Sequence, residues 1–337
     1  MSRKNVTVSD LKKCYQHIKD LGKGGDASVA LYQHFSNGSL VAVKKALDST
    51  SFKDFQDEVE KLKMLKACDN IVKILGSSID DASIPATIIL EYCHYGSMID
   101  YPEELYRSHS FIPEQTMWKL FADIAKALNF LHTRTRRRAV IVHCDVKPDN
   151  ILVCRPEGYE RRDDTVPVLP KFKLADFTRA VFFHGNTAEL EAVEGTPEYF
   201  APEWRDGAKP PIDIWSLGAT LQTIITGRWA TFTTSPFQRE YIRRRGKSFE
   251  VPEDPHKFWR YKIPGKFRPI NLRTKQQVEM LGTAPDETYH RYSDTLNNWY
   301  EKCMQVEVWR RITAKELVDL MVPVAEREMA RGSEEDG

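Results

Sequence analysis

The sequence predicts an α+β chain in two lobes, a small β-rich lobe with one main helix followed by a larger, mainly helical lobe. Three observations carry that expectation. Up to Gly96, short β-type runs alternate around a single helical segment. Beyond it, apolar residues recur at helical spacing over long stretches. Near the start, an Asn-Gly pair separates two β-type runs.

Residues 1–14 read as an N-terminal extension, and 15–92 as the small lobe. From Tyr15 to Lys45 the pattern is strand-like: Val29, Leu31 and Tyr32 lead to Ser36-Asn37-Gly38-Ser39, after which Leu40-Val41-Ala42-Val43 resumes. Asn37-Gly38 predicts a hairpin in which both turn positions take positive φ. Residues 51–67 read as a helix on the spacing of Phe55, Val59, Leu62 and Leu65. Two further strands are expected over Ile71–Leu75 and Ala86–Leu90. The large lobe, 93–323, contains a long helix opened by Pro113, with Trp118, Phe121, Ile124, Leu128 and Leu131 on one face. A second helix, Ile212 to Gly227, is apolar around most of its surface and is expected to be buried. The charged, proline-bearing stretch 155–170 reads as an inserted loop, and the acidic tail 324–337 as frayed.

Of 337 residues, 41% are hydrophobic and 29% charged, which is enough to bury a sizeable core in one large or two modest domains. The formal net charge is +1, from 49 basic and 48 acidic residues, so no global field points to nucleic acid or to an anionic membrane as partner. No apolar run approaches the roughly 20 residues that span a bilayer, and Met1-Ser2-Arg3-Lys4-Asn5 does not lead into a secretory apolar segment. Six cysteines without a C-x-x-C pair predict neither a zinc site nor a disulfide framework, but reduced thiols in an intracellular protein, cytoplasmic or nuclear. No motif specifies an oligomeric state.

The chemistry concentrates in His143-Cys144-Asp145-Val146-Lys147-Pro148-Asp149-Asn150, just before the apolar run Ile151-Leu152-Val153. Asp145 can take a proton from an attacking hydroxyl, Lys147 can neutralise charge on a transferred phosphoryl group, and Asn150 can hold a divalent metal. Taken alone, such a segment is also what a polar turn between a helix and a strand looks like. The order of the other segments decides between the two. Leu21-Gly22-Lys23-Gly24-Gly25-Asp26-Ala27-Ser28-Val29 is a glycine-rich turn that lets backbone N–H groups approach phosphates. The next strand ends on Lys44, which can reach back beneath that turn. Glu58, on the following helix, is placed to pair with Lys44, with Glu60 a competitor for the role. Phe172-Lys173-Leu174-Ala175-Asp176 delivers a second carboxylate at the end of a strand. Downstream lie Gly195-Thr196-Pro197-Glu198-Tyr199-Phe200-Ala201-Pro202-Glu203, then Asp213-Ile214-Trp215-Ser216-Leu217-Gly218, and near the end Trp309-Arg310-Arg311-Ile312-Thr313-Ala314.

In this order the motifs resemble those of the eukaryotic protein kinases, serine/threonine branch, over roughly residues 15 to 320. The resemblance implies a bilobal protein-kinase-like fold with MgATP in the cleft and transfer of the γ-phosphoryl group to a protein serine or threonine hydroxyl. By the same analogy Gly22, Gly24 and Val29 cover the nucleotide, and Leu21, Ala42 and Leu152 are further contacts. Glu91-Tyr92-Cys93 is the hinge, with Glu91 and Cys93 facing the adenine and Leu90 as gatekeeper. Lys44 holds the α- and β-phosphates and Glu58 orients it; Asp145 is the base, Lys147 contacts the γ-phosphate, and Asn150 and Asp176 hold Mg²⁺. Glu203 is expected to pair with Arg311, and Asp213 to brace the catalytic loop. Lys147 two residues after Asp145, and Thr196 before Pro197, select the serine/threonine branch.

Three departures stand out. Ala27 replaces the third glycine of the phosphate loop, a mild change. Cys144 replaces the arginine that usually anchors an activation-segment phosphate, and 178–194 holds only two hydroxyls, Thr178 and Thr187, beside Glu189, Glu191 and Glu194. An enzyme that needs no activation-loop phosphate is expected. Thr178 replaces the glycine of Asp-Phe-Gly; a β-branched residue is stiff and resists positive φ, which either hinders an Asp176–Phe177 flip or mis-aims Asp176. The competing reading is a pseudokinase, a scaffold that binds nucleotide or partners without turnover. The basic clusters Arg134 and Arg136–Arg138, and Arg243–Arg245, read as solvated loops, while the region 228–290, with Trp259, Arg260, Tyr261 and Phe267, is expected to hold partner specificity.

Overall fold

The computed structural model describes residues 6–48, 51–79, 85–107, 109–133, 140–156, 158–159, 166–185, 194–232, 234–245 and 253–335. Its first element is a short helix, α1 (Val8–Cys14), capped by reciprocal bonds between Thr7 and Asp10. Three strands follow, β1 (Tyr15–Lys23), β2 (Ala27–His34) and β3 (Leu40–Ala46), then helix α2 (Phe52–Met64) and strands β4 (Ile74–Ser78) and β5 (Thr87–Glu91). The five strands form one antiparallel sheet in the order β1-β2-β3-β5-β4. Helix α1 covers one face of it: Leu11 packs on Val41, Val43 and Ile89. Phe55, Val59 and Leu62 of α2 are buried in the main core.

Two expectations for this lobe need correction. The β2–β3 turn does not take positive φ at both central positions. Among the described residues only Gly38 does so there (φ 68°), because the loop is longer: Gln33 pairs with Leu40, and His34 closes on Ser39 at 2.9 Å. The run Ile71–Leu75 does not enter the sheet as one strand. Val72 N–H instead donates to Leu174 C=O at 3.0 Å, so the chain crosses to the large lobe before β4 begins at Ile74.

The large lobe comprises α3 (Tyr101–Tyr106), α4 (Glu114–Thr133), β6 (Val140–Val142), β7 (Ile151–Cys154), β8 (Lys171–Leu174), β9 (Val181–Phe183) and α5 (Pro210–Thr226). Then come α6 (Thr234–Arg245), α7 (Pro255–Arg260), α8 (Thr274–Leu281), α9 (Asp294–Cys303), α10 (Ala314–Glu316) and, after a π-helical turn at Leu317–Met321, α11 (Val322–Glu335). Trp118, Phe121, Ile124, Leu128 and Leu131 of α4 are fully buried, each contributing about 1.5–3 kcal/mol by removal from water. The α5 helix is buried on nearly every side, as its apolar circumference predicts. Pairs β6–β9 and β7–β8 are two-stranded. They set the geometry of the loops that precede and follow them.

The tail is not frayed. Residues up to Glu335 are helical, because Val322 and Ala325 bury themselves in the core and Lys126 of α4 donates to Glu326 at 3.2 Å. Arg243 and Arg244 lie on the last turn of α6 rather than in a loop, each bonded to Glu240. Arg134, Arg136, Arg137 and Arg138, Thr187, Glu189 and Glu191, and residues 157 and 160–165 of the insert, lie outside the described residues. No helix among the described residues is long and apolar enough to cross a membrane.

Candidate active site

The two lobes meet at a cleft of about 1080 Å³, a size suited to a nucleotide. Leu21, Gly22 and Val29 line it from β1 and β2, Gly24 from the turn between them, and Ala42 and Lys44 from β3. Leu90, Glu91 and Cys93 line its edge at the link between lobes, and Asn150, Leu152 and Asp176 line it from the large lobe. The glycine turn closes through Gly24 N–H to Ala27 C=O at 2.8 Å. A Cβ placed on Gly22 or Gly25 would meet no protein atom within 4 Å. The fold itself therefore does not require glycine there, whereas a phosphate drawn close to the backbone would.

Lys44 is the centre of the cleft's electrostatics. Its ammonium donates to Glu58 Oε2 at 2.7 Å, to Asp176 Oδ1 at 2.9 Å and to Thr178 Oγ1 at 3.0 Å, which uses all three N–H bonds. Glu58 is 1% exposed, while Glu60 faces out, so the structure pairs Glu58 rather than its competitor with Lys44. Burial disfavours the Lys44 ammonium, but the Glu58 and Asp176 carboxylates override it and hold its pKa above the ordinary lysine value. Burial likewise pushes the Asp176 carboxyl up, yet Lys44 and the Thr178 hydroxyl hold it well below the usual carboxylate range. Both groups are therefore charged at neutral pH.

The catalytic loop is built around Asp145, 8% exposed. Thr196 N–H and Oγ1–H donate to its Oδ1 at 2.9 and 2.8 Å, and Asn150 Nδ2 and Lys147 Nζ lie 3.0 and 2.9 Å from its Oδ2. Lys147 also donates to Thr196 Oγ1 at 2.8 Å. This approach explains Gly195: a Cβ there would fall 2.5 Å from Cys144 C=O. His143 fixes the loop to the strand that carries Asp176. Its Nδ1 accepts from Asp145 N–H at 3.3 Å and its Nε2 donates to Ala175 C=O at 3.1 Å. His143 is thus structural and no partner to a Cys144 nucleophile. Among the described residues, Cys144 (φ 65°) and Asp176 (φ 60°) are the non-glycine residues with positive φ. Each costs about 1–3 kcal/mol, strain that collects where side chains must be aimed. Thr178 is not one of them, so its β-branch is accommodated without the strain expected of it.

Two braces hold this platform. Asp213, fully buried, accepts from the N–H groups of His143 and Cys144 at 2.8 and 2.9 Å and lies 2.9 Å from His132 Nε2. Arg311, 4% exposed, grips Glu203 with both guanidinium nitrogens and adds bonds to Gln305 and Pro211 carbonyls. Arg311→Ala leaves a partly buried carboxylate without its partner and is expected to cost about 3–5 kcal/mol of stability. An unchanged melting temperature would contradict that role for the pair.

Four features were not legible in the residues. Thr196 serves as a clamp on Asp145, beyond its use in choosing the branch. Arg260 makes paired bonds of 2.6 and 2.7 Å to Glu198, which ties the region 228–290 to the segment before Ala201-Pro202-Glu203. Trp259 of that region is internal, packed edge-on against Tyr241 and Phe258, rather than offered to a partner. Cys93 and Cys154, 61 positions apart, are brought side by side with Cα atoms 4.4 Å apart. Backbone bonds from Tyr95 to Val153 and from Val153 to Gly96 bring the hinge onto the end of β7, and no spacing rule within the sequence foretells it.

The residues present fit Mg²⁺. Asn150 commits its amide nitrogen to Asp145, which leaves the amide oxygen as a ligand atom, and the half-exposed Asp176 keeps Oδ2 beside the two bonds on Oδ1. No cluster of three or more His, Cys, Asp or Glu side chains among the described residues forms a cage for a metal. One carboxylate and one amide are what Mg²⁺ takes from a protein when substrate phosphates complete its shell.

The sequence profile of the protein kinase domain matches residues 15–321. Calcium-dependent protein kinase 22 of Arabidopsis thaliana is 31% identical over 227 residues, which cover 65% of this chain and 42% of the relative. The mitogen-activated protein kinase kinase mkk2 of Aspergillus fumigatus is 25% identical over 313 residues, 91% of this chain and 54% of the relative. Serine/threonine-protein kinase SBK1 of Mus musculus is 26% identical over 272 residues, 77% of this chain and 59% of the relative. The chain thus spans about half the length of these relatives. With the match running through both lobes and the motif residues gathered at one cleft, the chain belongs to the protein kinase domain family.

Proposed function

We propose that the protein is a serine/threonine protein kinase that moves the γ-phosphoryl group of ATP to a protein hydroxyl, and that it does so without a phosphate on its activation segment. One observation carries the first part. Lys44 joins Glu58 of α2 and Asp176, 132 positions along the chain from Lys44, into a single bonded cluster inside the cleft. In that reading Lys44 binds the α- and β-phosphates and Glu58 keeps it aimed. Asp145 accepts the proton of the attacking hydroxyl, and Lys147 offsets charge on the group in transit. Asn150 and Asp176 would hold Mg²⁺, which would supply charge neutralisation for the phosphates. Catalysis then rests on positioning and preset electrostatics, since the group in flight asks for little covalent help. The relatives named as a serine/threonine-protein kinase and a mitogen-activated protein kinase kinase, and Lys147 after Asp145, support a serine or threonine hydroxyl of a protein as the acceptor.

Support for phosphate independence comes from what stands in the phosphate's place. Cys144 offers no guanidinium beside Asp145. Arg179, at the start of the activation segment, is already paired with Glu194 near its end and lies 3.4 Å from Asp26 of the glycine turn. These pairs are exposed and each contributes at most about 1 kcal/mol. Thr196, near the end of that segment, bonds directly to Lys147 and Asp145. Protein treated exhaustively with phosphatase is expected to keep its rate within about twofold. A collapse in γ-phosphoryl transfer after that treatment, reversed by rephosphorylation, would refute it.

A further inference from the structure

We propose that the Thr178 hydroxyl is a positioning group: it ties the Asp176 carboxylate to Lys44 and so holds Asp176 and Phe177 in their inward arrangement before any nucleotide or metal arrives. The proposal rests on the kinase reading for its use, but the geometry is present in the chain alone. Thr178 Oγ1 donates to Asp176 Oδ1 at 2.7 Å and accepts from Lys44 Nζ at 3.0 Å. Glu58 Oε2 lies 3.3 Å from the same oxygen. Of small uncharged side-chain groups, a hydroxyl can accept from an ammonium and donate to a carboxylate at once. Glycine at this position can do neither.

Neighbouring contacts show what the tie controls. Asp176 has φ 60°, a left-handed conformation uncommon among non-glycine residues. Phe177 is fully buried, its N–H donates to Glu58 Oε1 at 3.3 Å, and its ring meets His143 edge-on at 4.9 Å. Asp176, Phe177 and Thr178 are thus each bonded to the Lys44–Glu58 pair, and Thr178 supplies the bond that remains with Asp176 when Lys44 is drawn elsewhere. Thr178 itself is free of positive φ, so its methyl group and β-branch fit as they stand. The bland reading, in which Thr178 only fills space, makes a distinct prediction. Valine, of the same shape, would then serve equally well.

The test compares wild type, Thr178→Val and Thr178→Ser by amide hydrogen exchange of the full chain without metal or nucleotide. Thr178→Val is expected to speed exchange at the Phe177 amide about tenfold, and Thr178→Ser, which restores the hydroxyl, to stay within about twofold of wild type. In the same proteins the Mg²⁺ concentration for half-maximal phosphoryl transfer is expected to rise about fivefold in the valine variant and to return toward wild type in the serine one. Valine exchanging like wild type, or serine behaving like valine, would overturn the proposal. If exchange follows the expected order but wild type transfers no phosphoryl group, the tie stands and the kinase reading is what fails.

Discussion

Asp145→Asn is expected to lower kcat by about 10² to 10⁴ while leaving nucleotide affinity close to that of wild type. Four donors surround the carboxylate. Thr196 binds Oδ1 twice, and Asn150 and Lys147 sit on Oδ2. An asparagine can keep the first pair through its amide oxygen, so the loop retains its shape. Its nitrogen cannot take up a proton, and it turns a donor toward donors at the other side. In the proposed role Asp145 meets the attacking hydroxyl rather than ATP, so the loss belongs in kcat rather than in binding of ATP. Steady-state kinetics with a generic protein substrate measure it. A loss below about tenfold would argue against a general base at this position.

Lys44→Met is expected to reduce kcat/KM by on the order of 10² to 10³, because it removes a charge aimed at the phosphates. It is also expected to destabilise the fold by about 3–5 kcal/mol, since Glu58 is 1% exposed and would remain as a buried carboxylate without its counter-ion. The two effects separate in the double variant Lys44→Met with Glu58→Gln. Neutralising both partners removes the uncompensated charge, so thermal denaturation should recover most of the lost stability while phosphoryl transfer stays low. Recovery of activity in the double variant would show that the lysine acts only through the fold. Equal melting temperatures for all three proteins would show that the pair is not buried in solution as described.

Much of this was legible in the sequence, and the reason is local. Helical spacing in α4 and α5 follows from which residues must be buried, so the buried faces could be read directly. The motif residues fall at fixed offsets from strand ends, which places Lys44, Asn150 and Asp176 at the cleft once the lobes are paired. What escaped depends on long-range meetings. Ile71 and Val72 look like the start of β4, but their backbone partner is Leu174, about a hundred positions later. The tail 324–337 is rich in charge and suggests fraying, yet two small apolar residues, Val322 and Ala325, anchor it. The meeting of Cys93 with Cys154, the Arg260–Glu198 pair and the Thr196 clamp share that character. Thr178 was visible as a departure, but its sign was not: stiffness and φ suggested a defect, whereas its hydroxyl completes the donors of Lys44.

The most direct check on the central claim, that Lys44, Asp145, Asn150 and Asp176 act together on one phosphoryl group, is transfer of labelled γ-phosphate from ATP to a generic protein substrate. The account predicts metal-dependent label on serine or threonine with wild type and almost none with Asp145→Asn. A cooperatively folded wild-type protein that retains ATP with Mg²⁺ yet leaves the substrate unlabelled would contradict it.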